Sequence, residues 1–251
     1  MHGRSSHQLL GIDISAAPLA ALTEKVGSAV ATRGPFVVAC ANPHSLVVAQ
    51  TDSVFRKALA ACDVVVSDGV GVSVACRLAG IGVVPRITGD DLFKTVMADL
   101  DRKGGRAFFF GSSGHVLGRI VSRVNRDYPR IGVATLAPPY GEWSEQDNVA
   151  MIAAIREARP DVLWVGMTAP RQEKWVYANA AELGIPVIGS IGAVFDIYAE
   201  TVRRAPTLYR KCGLEWLYRL LHEPRRLWRR TLVSAPRFLW LVLRERVINS
   251  S

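Results

Sequence analysis

Seven short apolar runs of β type recur along the chain, at Leu9–Ile14, Phe36–Ala41, Val64–Ser67, Arg106–Gly111, Ile131–Leu136, Val162–Gly166 and Pro186–Ser190, separated by segments with helical patterning. Runs this apolar have no solvated face, so helices must cover both sides of the sheet they form. The alternation predicts an α/β fold built on a mostly parallel, doubly wound, Rossmann-like sheet. Helix starts are legible in the gaps: Pro18 follows Ser15, Pro43 follows Asn42, Ser144 precedes a helical stretch from Glu145, and Pro170 opens RQEKWVYANAAEL. After Ala205–Thr207 the pattern turns helical with no further strand. The chain therefore divides into an α/β core over residues 1–203 and a helical C-terminal appendage over 204–251, and a chain ending near Arg203 is expected to fold.

Charge separates the same two parts. From Arg203 onward lie 12 of the 31 Lys/Arg but only three of the 22 Asp/Glu, so the whole net charge of +9 lies from that residue on. A neutral body with a basic tail implies an anionic partner. Trp216, Leu217, Leu221, Trp228, Trp240 and Leu241 are interleaved with those basic residues, which points to an anionic membrane surface and not to nucleic acid. Pro224 should split the tail into two helical pieces meeting near Glu223. FLWLVL at Phe238–Leu243 is far too short to span a bilayer, which takes about 20 apolar residues; its alternative is packing on the body or on another subunit, as in a homo-oligomer. MHGRSSHQLLGIDIS has no stretch resembling a signal peptide, and the expected location is the cytoplasm, peripheral on the inner face of the membrane. Cys40, Cys62, Cys76 and Cys212 form no CxxC pair and read as reduced, packed thiols rather than a metal site.

In open α/β sheets ligands bind beyond the carboxyl ends of the strands. VVVSDGVGVSVACRLAG, from Val64, puts Asp68 at such an end, with a helix cap as the alternative role. Asn42, Thr88–Asp90, Gly111–Gly114 and Thr168–Gln172 fall at equivalent places and should share one rim. GSSG, starting at Gly111 after a phenylalanine run, resembles a phosphate-binding turn, although a plain turn fits equally. Arg86 and Arg171 would add cations to that rim. Asp99-Leu100-Asp101 has the DxD spacing of some metal-holding transferases, but it ends a helical stretch before RKGG and reads as helix-end charge. Cys40, within a strand, reads as core. A nucleotide-dependent oxidoreductase is disfavoured because the first strand–helix unit lacks GxGxxG and the acidic residue about 20 positions on. A non-enzymatic lipid-binding module would leave Asp68 and Gln172 without a role.

Taken in order, NPHSLVVAQ, VVSDGVGV, RITGDDL, FFFGSSG, PDVLWVGMTAPRQEKW, IGAVFD, RRAP and GLEWLYRLLHEPRRLWRR resemble the WecG/TagA/CpsF family of bacterial glycosyltransferases, over about Asn42 to Arg230. The resemblance implies transfer of a sugar from a UDP-sugar to a sugar on a polyprenyl diphosphate lipid, with inversion and with neither metal nor cofactor, in polysaccharide or teichoic-acid linkage assembly. It places the catalytic base on Asp68 and site residues on Asn42, Arg86 and Gln172. Appendage arginines of the family fall on Arg219, Arg226 and Arg229. Cys40 stands where many members have threonine, two residues before the asparagine.

Overall fold

The computed structural model describes residues 6–202, 205–206, 209, 215–222, 224 and 228–249. Six strands make one wholly parallel sheet in the order β4-β3-β8-β7-β5-β6. They are β3 (Phe36–Ala41), β4 (Val64–Ser67), β5 (Arg106–Gly111), β6 (Gly132–Leu136), β7 (Val162–Gly166) and β8 (Val187–Ser190). The first apolar run departs from expectation. Leu9–Ile14 is not one strand of this sheet but the centre of a separate antiparallel hairpin, β1 (Ser6–Leu9) and β2 (Ile12–Ser15). Leu10 and Gly11 turn with φ of 53° and 75°, the paired positive angles that suit the twist of a two-residue hairpin.

Helices fill the gaps: α1 (Leu19–Thr32), α2 (Pro43–Ala49), α3 (Ser53–Ala60), α4 (Val70–Leu78), α5 (Gly89–Lys103) and α6 (Gly114–Asp127). Then come α7 (Glu145–Glu157), α8 (Arg171–Leu183), α9 (Val194–Tyr198) and α10 (Glu215–His222). A π-helical turn, Arg229–Val233, leads into α11 (Ser234–Asn249). Successive side chains of a strand point to opposite faces, and the core divides accordingly. Val64, Val66, Phe109 and Trp164 face α1, α5, α6 and α9. Their neighbours Val65, Phe108, Phe110 and Val165 face α2–α4, α7 and α8. Phe93 of α5 meets the Trp164 ring edge to face at 5.5 Å, over the middle of the sheet.

The appendage is not detached from this body. Phe238 and Val242 of α11, 2% and 3% exposed, are buried in one cluster with Leu10, Val47, Val72 and Ala75. Glu245 Oε2 accepts the Leu10 N–H at 3.0 Å. Of the two readings of FLWLVL, packing on the body therefore holds for one face of the helix, while Leu239, Trp240 and Leu243 stay exposed. Helical pieces lie on both sides of Pro224, at Glu215–His222 and from Arg229 on; Glu223 lies outside the described residues. Among the described residues no helix is long and apolar enough to cross a membrane.

Candidate active site

A cleft of about 1820 Å³ runs along the carboxyl edge of the sheet. The residue that follows each of the six strands lines it: Asn42, Asp68, Ser112, Ala137, Met167 and Ile191. On the outer side, Trp216 of α10, Leu232 of the π-helical turn and Ala235, Pro236 and Leu239 of α11 form a wall. The sites predicted along one rim are thus brought together, and the appendage closes over them.

Asp68 owes its position to the backbone around it. Its N–H donates to Ala41 O at 2.8 Å, carrying the β3–β4 pairing one residue past the strand. Gly69 then turns the chain into α4 with φ 83° and ψ 176°, a conformation that a side chain makes costly. The N-cap position of α4 is Gly69, one residue after Asp68. Arg86 is held beside it, bridging Ser67 in parallel, with Ile87 N–H donating to Ser67 O at 3.0 Å. Asn42 caps α2, its Oδ1 accepting from Ser45 N–H at 3.1 Å. Its amide NH₂ is what remains to offer a ligand.

Gln172, 4% exposed, is clamped on both sides: Oε1 accepts from Met167 N–H at 3.1 Å and Nε2 donates to Glu173 Oε1 at 2.8 Å. Glu173 is itself 3% exposed and lines the cleft. Arg171 also lines it, stacked 4.0 Å over the Trp143 ring and donating to Gly141 O at 2.6 Å. It thereby braces the β6–α7 loop, which overhangs the cleft from Ala137 to Trp143 with Tyr140 fully exposed.

Two expectations need correction. Cys40 is not closed into the core: it is half-buried and lines the cleft, because it lies one residue from the end of β3. Burial, then the charges of Asp68 and Glu173, raise its pKa well above that of a free thiol, so the group is a neutral SH at physiological pH. Gly111, proposed as a phosphate contact, is buried behind the lining, which is formed by Ser112–Gly114. Its φ of 119° and close approach to Gly166 O leave no room for a side chain, so its role is to bring the ends of β5 and β7 together. Ser113 spends its hydroxyl on the Val116 N–H at 3.3 Å, as an N-cap.

The DxD pair is elsewhere. Asp99 accepts from Arg102 and Lys103, both at 2.7 Å, and Asp101 from Arg130 N–H at 2.8 Å. Both sit at the far end of α5 from Gly89 and Asp90, which line the cleft; ten residues of helix separate them by about 15 Å. Arg226 lies outside the described residues, and Arg219 and Arg229 are described only as backbone of α10 and the π-helical turn.

Several lining residues escape sequence reasoning. Glu173, Asp196 and Glu215 are helical residues whose place in the cleft depends on helix rotation. The β6–α7 loop was signalled only by the turn residues of PPYG. His44 Nδ1 lies 2.8 Å from Ser234 Oγ, a link between α2 and α11 across 190 positions that no local pattern carries. Among the described residues the charged lining is mostly acidic: Asp68, Asp90, Glu142, Glu173, Asp196 and Glu215 against Arg86 and Arg171.

Comparison with known proteins agrees with this architecture. The chain is 33% identical over 213 residues to an N-acetylglucosaminyldiphosphoundecaprenol N-acetyl-beta-D-mannosaminyltransferase of Bacillus spizizenii, covering 85% of this chain and 80% of that protein. Proteins of the same description from Bacillus subtilis, 30% identical over 224 residues (89% and 82% covered), and Staphylococcus aureus, 24% over 241 residues (95% and 92%), align similarly. These alignments run well past the sheet, and the family model described as "Glycosyl transferase WecG/TagA/CpsF family" matches residues 7–251, hairpin, cleft and closing helices alike. The chain belongs to the WecG/TagA/CpsF family of glycosyl transferases.

Proposed function

We propose that this chain moves a sugar from a UDP-sugar to a sugar carried on a polyprenyl diphosphate, by a single inverting displacement with Asp68 as the base. The observation that carries the reading is Asp68 at the end of β4, inside a cleft of about 1820 Å³. A single small-molecule pocket measures about 300–1,000 Å³. The larger space suits a donor and an acceptor together.

In the proposed step the acceptor hydroxyl attacks the anomeric carbon while Asp68 takes its proton, and the bond to the nucleotide diphosphate breaks on the opposite face. The departing diphosphate gains negative charge in a cleft whose described lining is mainly acidic, so its stabilisation calls for cations. Arg86 supplies one, and Arg219, Arg226 and Arg229 of the appendage are proposed to supply the others. Gln172 and Asn42 are proposed to hold sugar or phosphate oxygens. No divalent ion is invoked, since the DxD acids are engaged by Arg102, Lys103 and Arg130. The names of the relatives put N-acetylmannosamine first among donors to test, ahead of its uronic acid, glucose and glucuronic acid. The basic, aromatic-rich appendage is proposed to hold the enzyme peripherally on an anionic membrane, where a lipid-linked acceptor resides.

The test is UDP release from a panel of these donors, in excess chelator, with a short-chain lipid-diphosphate sugar as acceptor. Transfer is expected without added metal, and Asp68→Asn should lower turnover by roughly 10²–10⁴ while the fold is retained. Near-normal turnover of the variant would remove Asp68 from the role of base.

A further inference from the structure

Two apolar ridges start at the cleft, on helices that share one buried cluster. On α4, Val70 lines the cleft, and Val74 and Leu78 follow it at four-residue spacing along one side of the helix. On α11, Leu239 lines the cleft, and Leu243 and Val247 follow at the same spacing. Val74, Leu78, Leu239, Leu243 and Val247 are 49–67% exposed. The opposite sides of the two helices are buried in a common cluster, through Val72, Ala75 and Cys76 on α4 and Phe238 and Val242 on α11. The ridges therefore run outward on one shared support. At the far end of α4 the two helices are linked, Arg246 Nη1 donating to Leu78 O at 2.9 Å. From Val70 to Leu78 the path is about 12 Å long at 1.5 Å per helical residue.

We infer that the space between these ridges is a binding groove for the isoprenoid chain of a polyprenyl diphosphate, which enters the cleft head first and leaves it between α4 and α11. The inference rests on the proposed function for its ligand, and the groove adds where that ligand's apolar part lies. Continuity with the cleft selects this occupant. A molecule with a charged head and a long apolar tail needs a polar chamber that opens onto an apolar track. Here Arg86 and His44 line the chamber, and Val74, Leu78, Leu243 and Val247 follow outside it. A helix of a partner protein would have no reason to share Val70 and Leu239 with the chamber.

The test is photo-crosslinking of the full chain, in detergent micelles, with farnesyl diphosphate bearing a diazirine at its apolar end. Label is expected in the peptides containing Val74–Leu78 and Leu239–Val247. Val74→Ser and Leu243→Ser, both at exposed positions and checked for retained fold by circular dichroism, should each reduce it by about tenfold. In turnover, the same variants should lower by a similar factor the ratio of kcat/KM for a long-chain over a short-chain acceptor. Label confined to other helices, or label and ratio untouched by both variants, would overturn the groove. So would a change from dimer to monomer in the variants with no label on the ridges, which would assign the ridges to contact between copies. The two readings fail separately: labelled ridges in an enzyme that transfers no sugar would fault the reaction alone, and transfer with label elsewhere would fault the groove alone.

Discussion

Glu173 is the residue whose absence the site should feel most after Asp68. Its Oε1 takes one hydrogen of the Gln172 amide at 2.8 Å while Met167 N–H holds the amide oxygen at 3.1 Å, so the amide can face the cleft in one orientation only. Glu173→Gln preserves shape but replaces a charged acceptor with a group that can also present NH₂ to NH₂. A hydrogen bond to a charged group is worth about 1.5–3 kcal/mol, and kcat should fall by roughly 10- to 100-fold if that orientation serves the reaction. Steady-state kinetics paired with thermal melting checks this: an unchanged kcat at unchanged melting temperature would reduce the pair to packing. The Gln172 side of the pair was legible in TAPRQEKW, whereas the Glu173 side was not, because adjacent helical residues diverge by about 100° and only tertiary packing turned both inward. Cys40 misled for a related reason. A thiol at the fifth position of a six-residue strand has the composition of core, and only the length of β3 relative to its neighbours exposes it.

At the level of elements, four of the apolar runs coincide with strands residue for residue, β3, β4, β5 and β7. All four end in turn or capping residues that mark the boundary, as Asn42 does after β3. The Leu9–Ile14 run has no polar residue at its turn, Leu10–Gly11, so its division into β1 and β2 was marked only by the single glycine at position 11. The more consequential difference lies in α11, whose Phe238 is 2% exposed against the hairpin, α2 and α4. Phe238→Ala should cost about 3–5 kcal/mol, the usual range for emptying a buried phenylalanine site. Trp240→Ala, on the exposed side of the same helix, should stay within about 0.5 kcal/mol. Urea denaturation of the two variants decides it, and equal small losses would mean that α11 contributes little to the body. A chain cut near Arg203 would uncover the same cluster, and its folding is expected at reduced stability, as a lower urea midpoint would show.

For the molecule as a whole, positive charge and exposed apolar side chains fall on the same part of the surface. The +9 of net charge lies from Arg203 onward, and Arg237, Arg244 and Arg246 are exposed beside Leu239, Trp240 and Leu243. Each basic residue near an anionic leaflet contributes about 1 kcal/mol. The protein should therefore co-sediment with anionic vesicles and not with neutral ones, and be released near 1 M salt, where the screening length shrinks to about 3 Å. Binding that ignores lipid charge would set this expectation aside. A different consequence follows from the order of strands in the sheet. β8 lies between β3 and β7, pairing Phe36 with Val187 on one side and Val162 with Val187 on the other. Until that strand has been synthesised, the chain holds two unjoined fragments, β3–β4 and β5–β6–β7, each with an unpaired parallel edge. Asn42 and Asp68 belong to the first fragment, Ser112 and Gln172 to the second. This one strand of four residues thus joins the two fragments of the sheet and, with them, the two halves of the cleft, and a nascent chain stalled before Val187 would present unpaired strand edges prone to association.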